Sequence, residues 1–239
     1  VVRPSAPRRG TIAALVVALG AGAVFALSGS GDEEALTIDQ AADHMKNIFV
    51  LPKNEQAEQW RIWASKPGDT GGITEIKQEA LKQLAWARDE QGVALAIQAL
   101  KSPEPKLQSM AATALAHYGS PAADSAKPAL LEALKVAGAG AKPQIAWALV
   151  ILGEQAAFEE IMAIYRRGEL STVQRLGGGV AFDPNKLTEM VPLERLAELA
   201  GDESPSVRQL VATVLSRNAE PKWTETLIKL LDDPEHDVA

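Results

Sequence analysis

"SPEPKLQSMAATAL" occupies residues 102 to 115, and "DESPSVRQLVATVL" occupies residues 202 to 215. In both, an acidic or small polar residue and Pro come first, an aliphatic and a polar residue follow, and an apolar stripe ends in Ala-Thr-x-Leu. Pro suits the first position of a helix, where its fixed φ is already helical and its missing N–H is not needed. Leu107, Met110, Ala111, Ala114 and Leu115 recur at i, i+3, i+4, i+7 and i+8, the spacing of one helical face. The pair predicts a repeated structural unit, not a catalytic motif.

Sliding the chain by 34 residues extends the pattern. The same five positions match Ile73, Ile76, Lys77, Ala80 and Leu81 upstream, and Ala141, Gln144, Ile145, Ala148 and Leu149 downstream. Val207, Leu210, Val214 and Leu215 step back to Val173, Leu176, Val180 and Ala181, and Asp233 to Val238 restart the motif. The anchors 73, 107, 141, 173, 207 and 238 are thus 34, 34, 32, 34 and 31 apart. After each of the first five, a break rich in Gly, Ser, Pro or Asn precedes a second apolar helix, such as "VALAIQALK" from Val93 or "LERLAELA" from Leu193. One such hairpin cannot bury its stripe alone, so the expected fold is all-α: an α-solenoid of stacked antiparallel helical hairpins.

Composition agrees with a helical chain. Of 239 residues, 46% are hydrophobic but only 5% aromatic. With no Cys, disulfides, thiolate zinc sites and cysteine nucleophiles are excluded. His44, His117 and His236 are far apart in sequence, so no metal and no cofactor is expected.

"DESPSVR" from Asp202 to Arg208, with its apolar helix and a second helix ending "LIKLLDD", resembles the HEAT repeat and its bacterial variants related to phycobilisome lyase repeats. The likeness spans roughly Gly71 to the end. It implies a ladder between neighbouring repeats, formed by an Asp ahead of the first helix and a basic residue after its leading Val; Asp202 and Arg208 match these places. Ser102, Gln108 and Gln174 depart from them. Tetratricopeptide units share the 34-residue period but need an early Trp, Leu-Gly and Tyr that these units lack.

The N-terminus carries a second signal. Arg3, Arg8 and Arg9 precede an uncharged stretch from Gly10 to Gly31, and Asp32, Glu33 and Glu34 follow. The run approaches the ~20 residues that cross a bilayer. The charge asymmetry places the basic flank in the cytoplasm and the repeats outside it. The expected organisation is a basic flank at 1–10, a transmembrane or signal segment at 11–29, a linker at 30–37, a helical cap at 38–70 and repeats over 71–239, the last incomplete. Cleavage is the alternative, with Ala26 and Ser28 as the small residues of the site. Ala18, Gly22 and Ala26 form a small-xxx-small series suited to pairing two membrane helices. Removing the three Arg of the flank from the net charge of −7 leaves −10 for the remainder, which disfavours nucleic acid and anionic lipid as partners of the folded part.

No nucleophile, acid–base pair or oxyanion sequence stands out. The expected function is therefore a non-enzymatic protein–protein interaction scaffold. The alternative is an enzyme subunit of the lyase type. Partner-contact candidates are Trp60 and Trp63, three apart on one helical face, and Glu194 with Arg195 on a second helix. Trp60 and Trp63 also fit a cap over the open end of the stack, and the Arg166-Arg167 pair reads as solvated helix-end charge. Gly177, Gly178 and Gly179 replace an apolar stripe and predict a weak or interrupted helix.

Overall fold

The computed structural model describes residues 36–168, 184–218, 220–235 and 238. Every regular element among them is helical. The segment 11–29, with Ala18, Gly22 and Ala26, lies outside the described residues, as do Val173 to Ala181 with the three glycines. No helix among the described residues is long and apolar enough to cross a membrane.

Two helices, α1 (Ile38–Phe49) and α2 (Lys53–Ser65), precede the repeats. Thr37 opens α1 through a reciprocal capping box with Gln40, each satisfying a backbone N–H of the other. The hairpins follow. First helices are α3 (Gly71–Trp86), α5 (Pro105–Tyr118), α7 (Lys142–Ile151) and, further on, α10 (Pro205–Arg217). Second helices are α4 (Gly92–Ala99), α6 (Lys127–Val136), α8 (Phe158–Arg166), α9 (Leu193–Ala197) and α11 (Thr224–Leu231). Short 3₁₀ turns lead into or out of most of the second helices.

First helices stack directly on one another, α3 on α5 and α5 on α7, and the second helices flank them, α4 against α3 and α5, α6 against α7, α8 against α7 and α11 against α10. Burial follows from that order. In α7 every residue from Pro143 to Val150 is buried, whereas in α4 only Gly92 and Ala96 are. Of the apolar stripes read from the sequence, Leu115, Ile145, Leu149, Leu210 and Leu215 are at most 3% exposed. Met110 is only half-buried, packing on the core from its edge. The two polar lapses in the stripe are buried as well. Lys77 keeps its ammonium satisfied by Asp69 (2.6 Å) and the Gly68 carbonyl (2.9 Å), while neither amide atom of Gln144 has a hydrogen-bond partner.

Two glycines are needed where they stand. Gly119 ends α5 at φ 64°, a left-handed turn that its missing Cβ permits, and its N–H donates to Leu115. Gly72 donates to the Leu36 carbonyl at 2.7 Å, and a Cβ there would collide with the Leu36 and Thr37 carbonyls. That contact ties the start of α1 to the start of the first repeat.

Candidate functional site

The two similar stretches fold alike, down to single hydrogen bonds. Ser102 Oγ accepts from the Glu104 N–H (3.0 Å), and Asp202 Oδ1 accepts from the Ser204 N–H (2.9 Å). Six residues on, Gln108 donates to the Ser102 carbonyl (2.8 Å) and Arg208 to the Asp202 carbonyl (2.8 Å). Thr113 and Thr213 each donate to the carbonyl four residues back, at 3.0 and 2.9 Å. The repeated opening is a helix-entry turn, and Gln108 performs one of the tasks of Arg208 without its charge.

The ladder between units is present at Asp202 and Arg208, with a different wiring. The other oxygen of Asp202 accepts from Arg166 Nε and NH2, at 3.0 and 2.8 Å. Arg166 ends α8, so the base missing at Gln174 is supplied from a second helix 36 residues upstream; it is not a solvated helix-end charge. Arg208 turns the other way and grips both carboxylate oxygens of Asp233, at 2.6 and 2.9 Å. Nor does Asp202 cap its own helix directly. Ser204 holds the N-cap position, and Asp202 braces the turn before it.

Electrostatics follow the wiring. Burial works to raise the Asp202 pKa, but Arg166 and the Ser204 N–H outweigh it and hold the carboxyl below its usual range. For Asp233 the Arg208 guanidinium is the main cause of a lowered pKa, helped by the Glu235 N–H. Both groups are ionised structural partners. Neither faces a cleft that would suit acid–base chemistry.

The aromatic pair is not available to a partner. Trp60 and Trp63 are 2% and 6% exposed, so they close the end of the stack. Phe49 packs edge-on against Trp60 with ring centroids 5.3 Å apart, and His44 stacks at a tilt on Trp63 at 5.2 Å. The exposed indole is Trp86, half-open at the end of α3 with the Lys82 ammonium 5.1 Å from its ring. Its position off the stripe of Ile73, Ile76, Ala80, Leu81 and Leu84 is the sequence signal that separates it from the core.

Glu194 and Arg195 do lie on an exposed second-helix face, already engaged with neighbouring units. Glu194 accepts from Lys222 at 3.0 Å; Arg195 reaches Glu159 at 3.4 Å and Glu198 at 2.7 Å. These pairs form an outer ladder joining α8, α9 and the turn that leads into α11. Among the described residues no group of three or more His, Cys, Asp or Glu could hold a metal ion.

Stacked antiparallel hairpins with a buried inner layer and a half-exposed outer one define a helical-repeat protein. Residues 74–137 and 97–176 match the family model for HEAT repeats, so this part of the chain is built of HEAT repeats. Comparison with curated proteins gives no match. HEAT repeats are a helical-repeat architecture suited to protein interaction, and the chain has the half-exposed outer layer that such a role needs.

Proposed function

We propose that this protein is a non-enzymatic interaction scaffold that presents its second helices to a protein partner outside the cytoplasm, held at the membrane by residues 11–29. The observation that carries the scaffold reading is the division of labour between layers. The first helices α3, α5 and α7 are consumed by stacking, while α4, α6, α9 and α11 each keep a face open. Export rests on the uncharged run from Gly10 to Gly31 and the Arg flank ahead of it.

Two measurements test the proposal separately. Pull-down from the source cell with the protein and a Glu194→Ala/Arg195→Ala variant tests the surface. Capture of the same partner by both at equal yield would move the contact elsewhere. A topology reporter fused after Ala239 tests the location, and activity confined to the cytoplasmic reporter would refute export.

A further inference from the structure

Helix α1 carries more apolar surface than the stack covers. Ala41 and Ile48, at 0% and 4% exposed, seat it on the core. Ile38 and Phe49 lie roughly 80° further round the helix, and they are 64% and 45% exposed. Val50, just past the last turn, is 82% exposed. Beyond this edge come Lys46, Asp39, Asp43 and Asn47, all exposed. A helix packed on a core ordinarily turns its whole apolar stripe inward. In α1 one edge of the stripe faces the core and the other faces out.

That outward edge is held in place. The Phe49 ring packs edge-on against Trp60 at 5.3 Å, and the buried Gln56 donates to the Phe49 and Leu51 carbonyls at 3.1 and 2.7 Å. The turn also differs in composition from those between later helices. Ala87 to Gln91 joins α3 to α4 with Arg88, Asp89 and Glu90, and Gly119 to Ala123 follows α5 with Gly, Ser, Pro and Ala. Phe49 to Pro52 reads Phe-Val-Leu-Pro. From His44 to Asn54 there is no Asp or Glu, and Lys46 and Lys53 flank the apolar tip. Lys46 meets Asp43 at 3.0 Å, in a surface pair that water screens. Apolar and aromatic residues flanked by Lys suit the boundary between lipid headgroups and acyl chains, where the long Lys stems keep their charge in water.

Chain connectivity selects the same partner. The uncharged run ends at Gly31, seven residues ahead of Ile38. Seven residues span at most about 25 Å and α1 is about 18 Å long, so the open edge stays within reach of a surface from which that run emerges. We propose that the outward edge of α1, with Ile38, Phe49 and Val50, lies in the interface of the bilayer that residues 11–29 cross. Its partner is a zwitterionic lipid surface, because the acidic folded part is repelled by anionic headgroups. The inference rests on the membrane reading of residues 11–29 and deepens it: the array is seated on the lipid through its cap and does not hang from a free linker.

The chain has no Cys, so Val50→Cys or Asn47→Cys takes a single fluorophore on the apolar or the polar side of α1. The full chain is reconstituted in phosphatidylcholine vesicles, and flotation reports whether it stays with the lipid. Spin-labelled phosphatidylcholine is expected to quench the label at position 50 several-fold more than the label at position 47. Ile38→Glu, at an exposed position on the same edge, should reduce that quenching and leave the melting temperature unchanged. A chain that floats with the vesicles but shows equally weak quenching at both positions overturns the inference and leaves the anchor standing. A label at position 50 that neither the lipid quencher nor aqueous iodide reaches makes a protein surface the occupant, and overturns it too. A chain that stays in the aqueous fraction refutes the anchor, and the inference with it.

Discussion

Replacing Asp202 separates the two parts of the ladder. The carboxylate accepts three bonds: one from the Ser204 N–H that shapes the helix entry, and two from Arg166. Asp202→Ala removes all of them. Asp202→Asn keeps an oxygen for the turn and loses the charge. The turn bond is a protein hydrogen bond to a charged acceptor, about 1–2 kcal/mol. The pair with Arg166, whose side chain is 42% exposed, adds well under 1 kcal/mol after solvent screening. Asp202→Ala is thus expected to cost about 1–2 kcal/mol and Asp202→Asn less than half of that. In a repeat array of this size the first corresponds to roughly 2–8 °C of melting temperature. Thermal unfolding followed by circular dichroism, alongside partner pull-down, reads both consequences. Partner capture should survive both changes. If Asp202→Ala melts like the parent yet loses the partner, the repeated opening is a binding site and the structural assignment is wrong.

Gly92→Ala should be more damaging than a helix-favouring change suggests, because the new Cβ overlaps the Tyr118 hydroxyl and lies 3.2 Å from Leu84 Cβ. That hydroxyl is fixed by its bond to the Asp89 carbonyl (3.0 Å), so about 1–3 kcal/mol of overpacking is expected, with Tyr118→Phe giving partial relief in the double variant by chemical denaturation. Because the folded pKa values of Asp202 and Asp233 are depressed, the stability they contribute is present above about pH 4, the unfolded value, and is lost as pH falls through the folded values. An acid titration of unfolding free energy should be shallower for Asp202→Asn/Asp233→Asn than for the parent.

The first helices were legible because their cores obey one local rule. Ile145 and Leu149 are fully buried where the spacing places them. Exposure is less local, which is why the tryptophans fitted both a partner contact and a cap. Trp60 and Trp63 share a helical face whether that face meets solvent or α3, and only the packing of α2 on α3 settles it. The ladder shows the same boundary. Asp202 and Arg208 carry it in sequence, but their partners Arg166 and Asp233 lie 36 and 25 residues away, on elements of other types. A position-by-position match cannot find a base that has moved from a first helix to the preceding second one. Likewise, Gln108 is a lapse in the motif yet keeps the backbone bond of Arg208.

The units are also joined by different physics at the two ends, with a consequence for salt. Between the cap and α5 most contacts are apolar or buried, Trp60 and Trp63 under α1 and Tyr118 over Gly92 with its bond to Asp89, and the ion pair there, Arg61 with Asp89, keeps its carboxylate only 7% exposed. From α8 onward the apolar core continues through Leu196, Val207, Leu210 and Val214, and ion pairs add to it across units: Arg166 with Asp202, Arg195 with Glu159, Lys222 with Glu194 and Arg208 with Asp233. Three of the four have at least one partner more than 40% exposed. At 1 M salt the screening length falls to about 3 Å, so these exposed pairs weaken while the apolar contacts strengthen or hold. In a stack where each unit touches only its neighbours, the weakened end opens by itself. Amide exchange in 1 M sodium chloride should therefore quicken several-fold in α9, α10 and α11 relative to low salt, with α3, α5 and α7 unchanged or slower. Uniform acceleration along all these helices would mean that the array opens as one body, and that its C-terminal ion pairs do not set the local stability assigned to them.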